Sequence, residues 1–183
     1  MLSKKLHDAV NAQINAELWS AYLYLAMSMD AEAKGYKGVA NWYHVQFREE
    51  QDHARIFMNY LNSRDAKVVL HPIDAVPETW ESVADMFKQT LEHEKKVTAL
   101  INNLAAIAND DRDFASINRF TWFIDEQVEE EENARELIAA AEAENLEAYQ
   151  VAVVTESPRM VMKWNGATIV DLSRAFLDTN GAD

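Results

Sequence analysis

Acidic residues and one histidine occupy some of the core-facing positions of four long predicted helices, where apolar residues are expected. In each of four segments, apolar residues recur at steps of three and four, the spacing that keeps one side of a helix facing inward. Only four glycines and three prolines occur in 183 residues, so long helices can form. Five of the core-facing positions carry an acid or an imidazole instead of an apolar side chain: Glu17, Glu50, His53, Glu94 and Glu130. Each of the four helices therefore brings a carboxylate into one core.

A buried carboxylate is costly unless a cation balances its charge. No Lys or Arg lies at the core-facing positions of the four helices, so the sequence predicts a metal ion as the counter-charge. The acids lie roughly 12 to 17 residues into their helices, about 18 to 25 Å along the axis, so antiparallel packing brings them to one level. We expect one site that can hold two ions.

The arrangement of helices follows from the lengths of the connections. We predict helices over residues 3–34, 37–63, 81–109 and 113–147. Short connections make the first two helices one antiparallel hairpin and the last two another. Residues 64–80 contain two prolines and fit a long crossover between the hairpins. The predicted fold class is all-α, a four-helix bundle of two hairpins joined by one crossover.

The C-terminal tail has a different composition from the bundle. We expect residues 1–147 to form the bundle domain and residues 148–183 to form an extension. Helical spacing through Ile169, Leu172 and Phe176 predicts a short fifth helix over residues 168–178. A β-hairpin is the alternative, because Asn165-Gly166 is a turn signal between segments rich in β-forming residues.

Charge and composition exclude several classes of function. A formal net charge of -14 disfavours nucleic acid as a partner and favours the attraction of cations. The absence of Cys excludes disulfides, iron-sulfur clusters and a cysteine nucleophile. The N-terminus lacks the apolar core of a signal peptide, and no segment approaches the ~20 apolar residues of a membrane span. We expect a soluble, cytoplasmic protein with no membrane partner.

The ligand types point to particular metals. Glu50 and His53 form an E-x-x-H pair, whose spacing places carboxylate and imidazole on one face of a helix. Oxygen-rich ligation with one imidazole suits iron or manganese better than structural zinc, and we favour iron. Glu50 can bridge two ions, with Glu17 and His53 completing one coordination sphere and Glu94 and Glu130 the other. Gln127 is expected beside them.

Further residues accompany this predicted centre. Glu49, Glu126 and Glu129 lie next to its ligands in sequence and can form an adjacent acidic site. Tyr24 lies two turns beyond Glu17 and can hydrogen-bond a ligand carboxylate or donate an electron, although a core tyrosine with a satisfied hydroxyl gives the same pattern.

Three functions fit these residues. The first is a redox-active iron site, because a pocket of carboxylates stabilises oxidised iron and can leave positions open to oxygen. The second is a non-catalytic metal-binding helical assembly whose buried acids bind structural cations. The third is a di-iron oxygenase or peroxidase that acts on an organic substrate, but the core-facing lines offer neither a cavity of small residues nor a second imidazole.

Residues 1–147 resemble the bacterial non-haem ferritins. The resemblance is carried by the segments LSKKLHDAVNAQINAELWSAYLYLAMS, FREEQDHARIF, TLEHEKKVTALINNL and WFIDEQVEEE. It implies a ferritin-like bundle, a cytoplasmic cage of 24 subunits and iron storage with ferroxidase activity. Dioxygen or hydrogen peroxide would be the oxidant.

The same resemblance assigns roles to residues. It implies a di-iron centre at Glu17, Glu50, His53, Glu94 and Glu130, with Gln127 nearby and Tyr24 beside it. It also implies a third iron site at Glu49, Glu126 and Glu129. Bacterioferritins differ in carrying a second E-x-x-H pair and a haem-binding Met where this chain has Gln51, so no haem is expected. The tail is longer than is usual in the family.

Overall fold

The computed structural model describes residues 2–143, 159–164 and 167–173. Its bundle consists of four helices, and its C-terminal part contains two strands. The elements are α1 (Lys4–Ala33), α2 (Lys37–Ser63), α3 (Val83–Asp110), α4 (Phe114–Ala143), β1 (Arg159–Trp164) and β2 (Ala167–Ser173). The predicted four-helix bundle is confirmed, and the helix ends agree with the sequence prediction to within two residues wherever the chain is described. Residues 144–147, predicted as the end of the fourth helix, lie outside the described residues.

Local sequence explains where the helices begin and turn. Ser3 and Ser82 precede α1 and α3, and each side-chain oxygen accepts a hydrogen bond from the backbone N–H three residues later, at 3.1 Å. Such caps satisfy donors that the first helical turn leaves unpaired. After α1, Gly35 adopts a left-handed conformation with φ of 85°. Glycine adopts this conformation without strain, which lets the chain reverse directly into α2.

The crossover between α2 and α3 is fastened to α1 near both of its ends. Near its start, the side-chain oxygen Oδ1 of Asn11 accepts a hydrogen bond from the backbone N–H of Val69 at 2.6 Å. Near its end, the Asp30 carboxylate accepts one from the backbone N–H of Trp80 at 3.1 Å. These bonds satisfy polar groups of a segment that has no regular secondary structure, so the crossover is held along the bundle.

Two apolar clusters fill the bundle on either side of its middle. One cluster includes Ile14 of α1, Phe57 of α2 and Phe123 of α4. The other includes Tyr24 of α1 and Tyr43 of α2. On every helix, the acidic core residues lie between the positions that belong to the two clusters. The packing therefore leaves one polar layer near mid-bundle, as the antiparallel arrangement predicts.

The predicted fifth helix is wrong over the part of it that the structure describes. Residues 168–173 lie in strand β2, which pairs antiparallel with β1 from Arg159↔Ser173 to Trp164↔Ala167, with an irregularity between Met162 and Lys163. The alternative hairpin is the observed structure, because β-branched residues in both segments favour a strand over the helical spacing. Residues 174–178 of the predicted helix lie outside the described residues.

The contacts within the chain divide it into two compact units, Met1–Tyr149 and Gln150–Asp183. In the part of the chain that the structure describes, no helix is long and apolar enough to cross a membrane.

Candidate metal centre

The structure brings the predicted ligands of α1 and α2 together. Glu17, Glu50 and His53 each offer one ligand atom, and these atoms all lie within 4.8 Å of one another. The three residues are 1%, 2% and 4% exposed. His53 Nδ1 lies 3.5 Å from Glu50 Oε2, as the E-x-x-H spacing predicts. A single ion between them would therefore be bound by two helices at once.

The acids of α3 and α4 complete the polar layer. Glu94 is fully buried and Glu130 is 5% exposed. The charges of both raise the pKa of Glu50. Neither residue belongs to the closely spaced group of Glu17, Glu50 and His53. The buried layer thus contains four carboxyl groups and one imidazole.

Neutral polar side chains surround these carboxyl groups. Gln13 Nε2 donates to Glu17 at 2.9 Å, and Gln46 Nε2 donates to both oxygens of Glu130, at 3.1 and 3.3 Å. The Tyr24 hydroxyl donates to Glu94, which places Tyr24 beside the centre. Gln127 is buried near the centre, and its side-chain oxygen accepts a bond from Thr98 at 3.1 Å. None of these partners carries a positive charge.

Three buried carboxylate oxygens have no hydrogen-bond partner among the described residues. They are Oε2 of Glu17, Oε2 of Glu50 and Oε2 of Glu94. An unsatisfied buried oxygen is expensive, and native structures rarely leave one without a reason. The three belong to three different helices and converge on one layer, so they fit the hard oxygen ligands of a metal ion. The donor set therefore suits a site for one or two metal ions.

Burial and mutual repulsion raise the pKa values of the acids. Burial is the main cause for all four, and the next contribution is the charge of a neighbouring carboxylate for Glu17, Glu50 and Glu130. The pKa of Glu94 rises to about 7 and that of Glu130 to about 8, while those of Glu17 and Glu50 rise well above the ordinary value. Metal binding must displace these protons, so affinity for metal falls as the pH is lowered.

A second group of ligands lies at the edge of the first. Glu49, His53 and Glu126 offer ligand atoms within 4.8 Å of one another, and all three line a cleft of about 380 Å³. Trp122, which is 45% exposed, also lines the cleft, and its ring centroid is 5.7 Å from that of His53. His53 therefore belongs to both groups and connects the buried layer to the cleft.

The structure does not place Glu129 in this second group. The sequence predicts Glu49, Glu126 and Glu129 together, but Glu129 is exposed and His53 takes the third position. Glu129 follows Glu126 by three residues on α4, so its charge still raises the pKa of Glu126, after burial and Glu49.

Some residues beside the centre have no role in the sequence prediction. Gln13 and Gln46 each bond a core acid, and their polar side chains at core-facing positions were the signal that could have identified them. His93 lies off the core-facing line, yet its Nε2 is 2.7 Å from Ser20 Oγ and its ring contacts Tyr24. Sequence spacing gives no signal for that contact.

The fold and the site define a class of protein: antiparallel four-helix bundles with a carboxylate-rich metal centre at mid-bundle. Within that class, the family model for the ferritin-like domain matches residues 7–143. The chain belongs to the ferritin family. The match ends at α4, so the hairpin of β1 and β2 lies beyond it.

Individual relatives agree with this assignment. The chain is 40% identical to the bacterial non-heme ferritin of Staphylococcus aureus over 131 residues, which is 72% of this chain and 79% of the relative. The bacterial non-heme ferritin of Staphylococcus epidermidis matches with the same identity and coverage. Among solved structures, the open pore ferritin of the archaeon Archaeoglobus fulgidus superposes with a TM-score of 0.79 at 37% identity, covering 80% of this chain and 91% of that chain. The predicted resemblance is confirmed.

Proposed function

We propose that this protein stores iron and oxidises Fe(II) with dioxygen at the buried centre. Membership of the ferritin family supports iron storage, and the named relatives are ferritins. The observation that carries the ferroxidase proposal is the convergence of Glu17, Glu50 and His53 in a buried layer with unpartnered carboxylate oxygens. Iron is the substrate of this reaction rather than a resident cofactor.

The proposed ligands divide between two Fe(II) ions. Glu50 bridges them, Glu17 and His53 complete one coordination sphere, and Glu94 and Glu130 complete the other. Gln127 lies next to the second ion. Support for this division comes from the carboxyl groups, which interact strongly enough to raise one another's pKa values. Because packing fixes the four helices, both ions would be held at bridging distance before the oxidant arrives.

The chemistry balances with dioxygen as the two-electron acceptor. Each Fe(II) loses one electron, and dioxygen takes both electrons with two protons and leaves as hydrogen peroxide. Hydrogen peroxide could then serve as a second oxidant. The acids that bind iron release the protons that they hold without metal, so the site itself is a source of those protons.

The ferric product needs an exit from the centre. The group of Glu49, His53 and Glu126 lies in an open cleft beside it, and this group is our proposed third iron position. We extend the proposal to a cage of 24 subunits around the stored mineral, supported by the family resemblance. The domain division at residues 147 and 148 and the cytoplasmic location stay predictions.

Stopped-flow oxidation tests this proposal. Wild-type apo-protein receives two Fe(II) per subunit in air, and both Fe(III) formation and dioxygen consumption are followed. We expect a fast first phase that Glu50→Ala and His53→Ala both slow strongly. His44→Ala is the matched control, because His44 is an exposed histidine on the same helix, and it should retain the fast phase.

The alternative function gives a different result. In a non-catalytic metal-binding assembly, wild type and all variants would show the same slow, monotonic oxidation. That result would reject the ferroxidase proposal and favour structural cations.

A further inference from the structure

Aromatic rings form a continuous series from the candidate metal centre to the protein surface. The Tyr24 hydroxyl donates to the proposed iron ligand Glu94. The ring centroid of Tyr24 lies 5.8 Å from that of Tyr43, and the Tyr43 ring meets the edge of Trp42 at 4.9 Å. Tyr24 and Tyr43 are fully buried, whereas Trp42 is only half-buried. The series therefore begins at a metal ligand and ends at solvent.

The chemistry of these side chains suits electron transfer. Tyrosine and tryptophan are the aromatic side chains that lose an electron most readily, and rings in contact allow transfer in short steps. The proposed function brings a strong oxidant, dioxygen or the peroxide formed from it, to within reach of Glu94. The Tyr24 hydroxyl is hydrogen-bonded to that ligand, so Tyr24 lies within direct reach of such an oxidant.

We propose that Trp42 supplies electrons through Tyr43 to Tyr24, so that oxidising equivalents leave the metal centre and end at the surface. This inference rests on the proposed ferroxidase function. It gives Trp42, which lies outside the ligand sets of both sites, a role that acts through two other residues.

The transfer balances one electron at a time. The oxygen-derived oxidant at the centre takes an electron from Tyr24, whose hydroxyl proton moves along the existing hydrogen bond to Glu94. Tyr24 then regains an electron from Trp42, with Tyr43 between them, and takes its proton back. On losing its electron, Trp42 releases its indole proton to water. It is then reduced by an Fe(II) ion in solution, which becomes Fe(III), and takes a proton back from water. Two such transfers reduce one molecule of hydrogen peroxide at the centre to two molecules of water, with two protons taken from solvent, and oxidise two dissolved Fe(II) ions to Fe(III).

A second series of rings leaves Tyr24 in another direction. The ring centroid of His93 lies 5.9 Å from that of Tyr24 and 5.2 Å from that of Trp19, which is also half-buried. This branch is interrupted by an imidazole, which is much harder to oxidise than a phenol or an indole. Trp19, like Trp42, is half-buried and is separated from Tyr24 by one ring. In the Trp19 branch, however, that ring is an imidazole, which is not readily oxidised.

The two branches from Tyr24 can therefore be compared in one experiment. Wild type, Trp42→Phe, Tyr43→Phe and Trp19→Phe are loaded with Fe(II) and mixed with dioxygen, and samples frozen at successive times are examined for a tyrosyl radical by electron paramagnetic resonance. After many turnovers, peptide mass spectrometry maps the oxidised residues. Each replacement retains an aromatic ring at its position, and thermal melts confirm that the variants fold.

We expect a tyrosyl signal that lasts severalfold longer in Trp42→Phe and Tyr43→Phe than in wild type, with oxidation products moving from Trp42 to Tyr24. Trp19→Phe should match wild type. An equal radical lifetime in all four proteins, a longer lifetime in Trp19→Phe alone, or neither a radical nor oxidised Trp42 in wild type would overturn the inference. The fast phase of Fe(II) oxidation in wild type is measured in the same samples, so failure of the ferroxidase proposal would be seen separately.

Discussion

Gln46 of α2 donates its side-chain amide to both oxygens of the Glu130 carboxylate of α4, at 3.3 and 3.1 Å. The two residues lie 84 positions apart in sequence and are both buried. This bond opposes the burial and the Glu94 charge that raise the pKa of Glu130 to about 8. A neutral amide on one helix thus helps to keep a proposed metal ligand on another helix ionisable.

Replacing Gln46 with Leu should weaken metal binding at neutral pH. Without the amide, Glu130 holds its proton more firmly, and that proton must leave before a metal ion binds. A lost hydrogen bond to a charged group is worth about 1.5 to 3 kcal/mol, which corresponds to an affinity loss of roughly tenfold or more. Zinc titration by calorimetry measures this loss, and Gln51→Leu on the exposed side of α2 is the control. Equal zinc affinities in Gln46→Leu and Gln51→Leu would contradict the prediction.

The apo-protein should lose stability as the pH rises from 6.5 to 8.5. The pKa of Glu94 rises from 4.5 to about 7 and that of Glu130 to about 8, so the folded state keeps protons that the unfolded chain has released. The free energy of unfolding must then fall as the pH rises through the pKa values that Glu94 and Glu130 have in the folded state. The pKa of His93 falls from 6.5 to about 4. His93 therefore lowers the stability of the folded state only as the pH drops below 6.5, outside this interval.

Calorimetric melts in the presence of a chelator test this pH dependence. The melting temperature of wild type should decrease across the interval, and the double variant Glu94→Gln with Glu130→Gln should show a flatter profile. A wild-type melting temperature that rises with pH between 6.5 and 8.5 would show that these acids do not control apo stability.

Glu50→Gln should stabilise the apo-protein and destabilise the metal-loaded protein relative to wild type. The Glu50 charge raises the pKa of Glu17, so its removal relieves repulsion in the buried layer. The melting temperature of the apo-protein should therefore rise in this variant. Excess zinc at about 100 times its Kd adds roughly 2.7 kcal/mol to a protein that binds it, and this should reverse the order.

Melting temperatures with and without zinc measure both effects. Glu132→Gln, an exposed acid on α4, should leave both values unchanged. If Glu50→Gln melts below wild type in the chelator, the repulsion argument fails.

The sequence alone predicts the bundle because its information is periodic. Each helix carries apolar residues at helical spacing. Four of them, one from each helix, are buried in one cluster: Leu6, Phe57, Ile101 and Phe123. The same periodicity assigns Glu17, Glu50 and Glu94 to the core, and their similar distances along their helices bring them to one level. These predictions need only helix geometry and antiparallel packing.

The details of the site depend on side-chain orientation, which periodicity does not specify. Glu126 and Glu129 both lie near the centre in sequence, but rotation around α4 leaves Glu129 exposed and brings Glu126 to Glu49 and His53. In the tail, helical spacing and strand propensity compete over the same short segment. The pairing of β2 with β1 decides that competition, and single-segment periodicity carries no information about pairing.

Glu126→Ala should change the number of Fe(II) ions oxidised per dioxygen more than Glu129→Ala does. Only Glu126 joins the group with Glu49 and His53, so only its removal takes a ligand from the proposed third position. Simultaneous iron and oxygen measurements give this ratio, with Glu132→Ala as the surface control. A larger effect of Glu129→Ala would restore the ligand set that the sequence predicts.

Arg64→Ala should destabilise the bundle, because Arg64 joins the end of α2 to the start of α4. Its guanidinium donates to both oxygens of Asp113, at 2.7 and 3.1 Å, and Asp113 in turn accepts from the Ser116 backbone N–H at 3.2 Å. The Arg64 and Asp113 side chains are only 21% and 15% exposed, so solvent screens the pair weakly. Loss of a charged, two-point bond of this kind costs about 1.5 to 3 kcal/mol.

The matched control is Arg55→Ala, which removes a pair with Asp52 whose side chains are 67% and 59% exposed. Exposed pairs contribute little, so its melting temperature should stay near that of wild type. Arg64→Lys should recover only part of the loss, since a lysine cannot bind both carboxylate oxygens in the planar geometry of a guanidinium. Calorimetric melts of the three variants decide the matter: equal decreases for Arg64→Ala and Arg55→Ala would mean that the two-point bond does not hold the helix ends together.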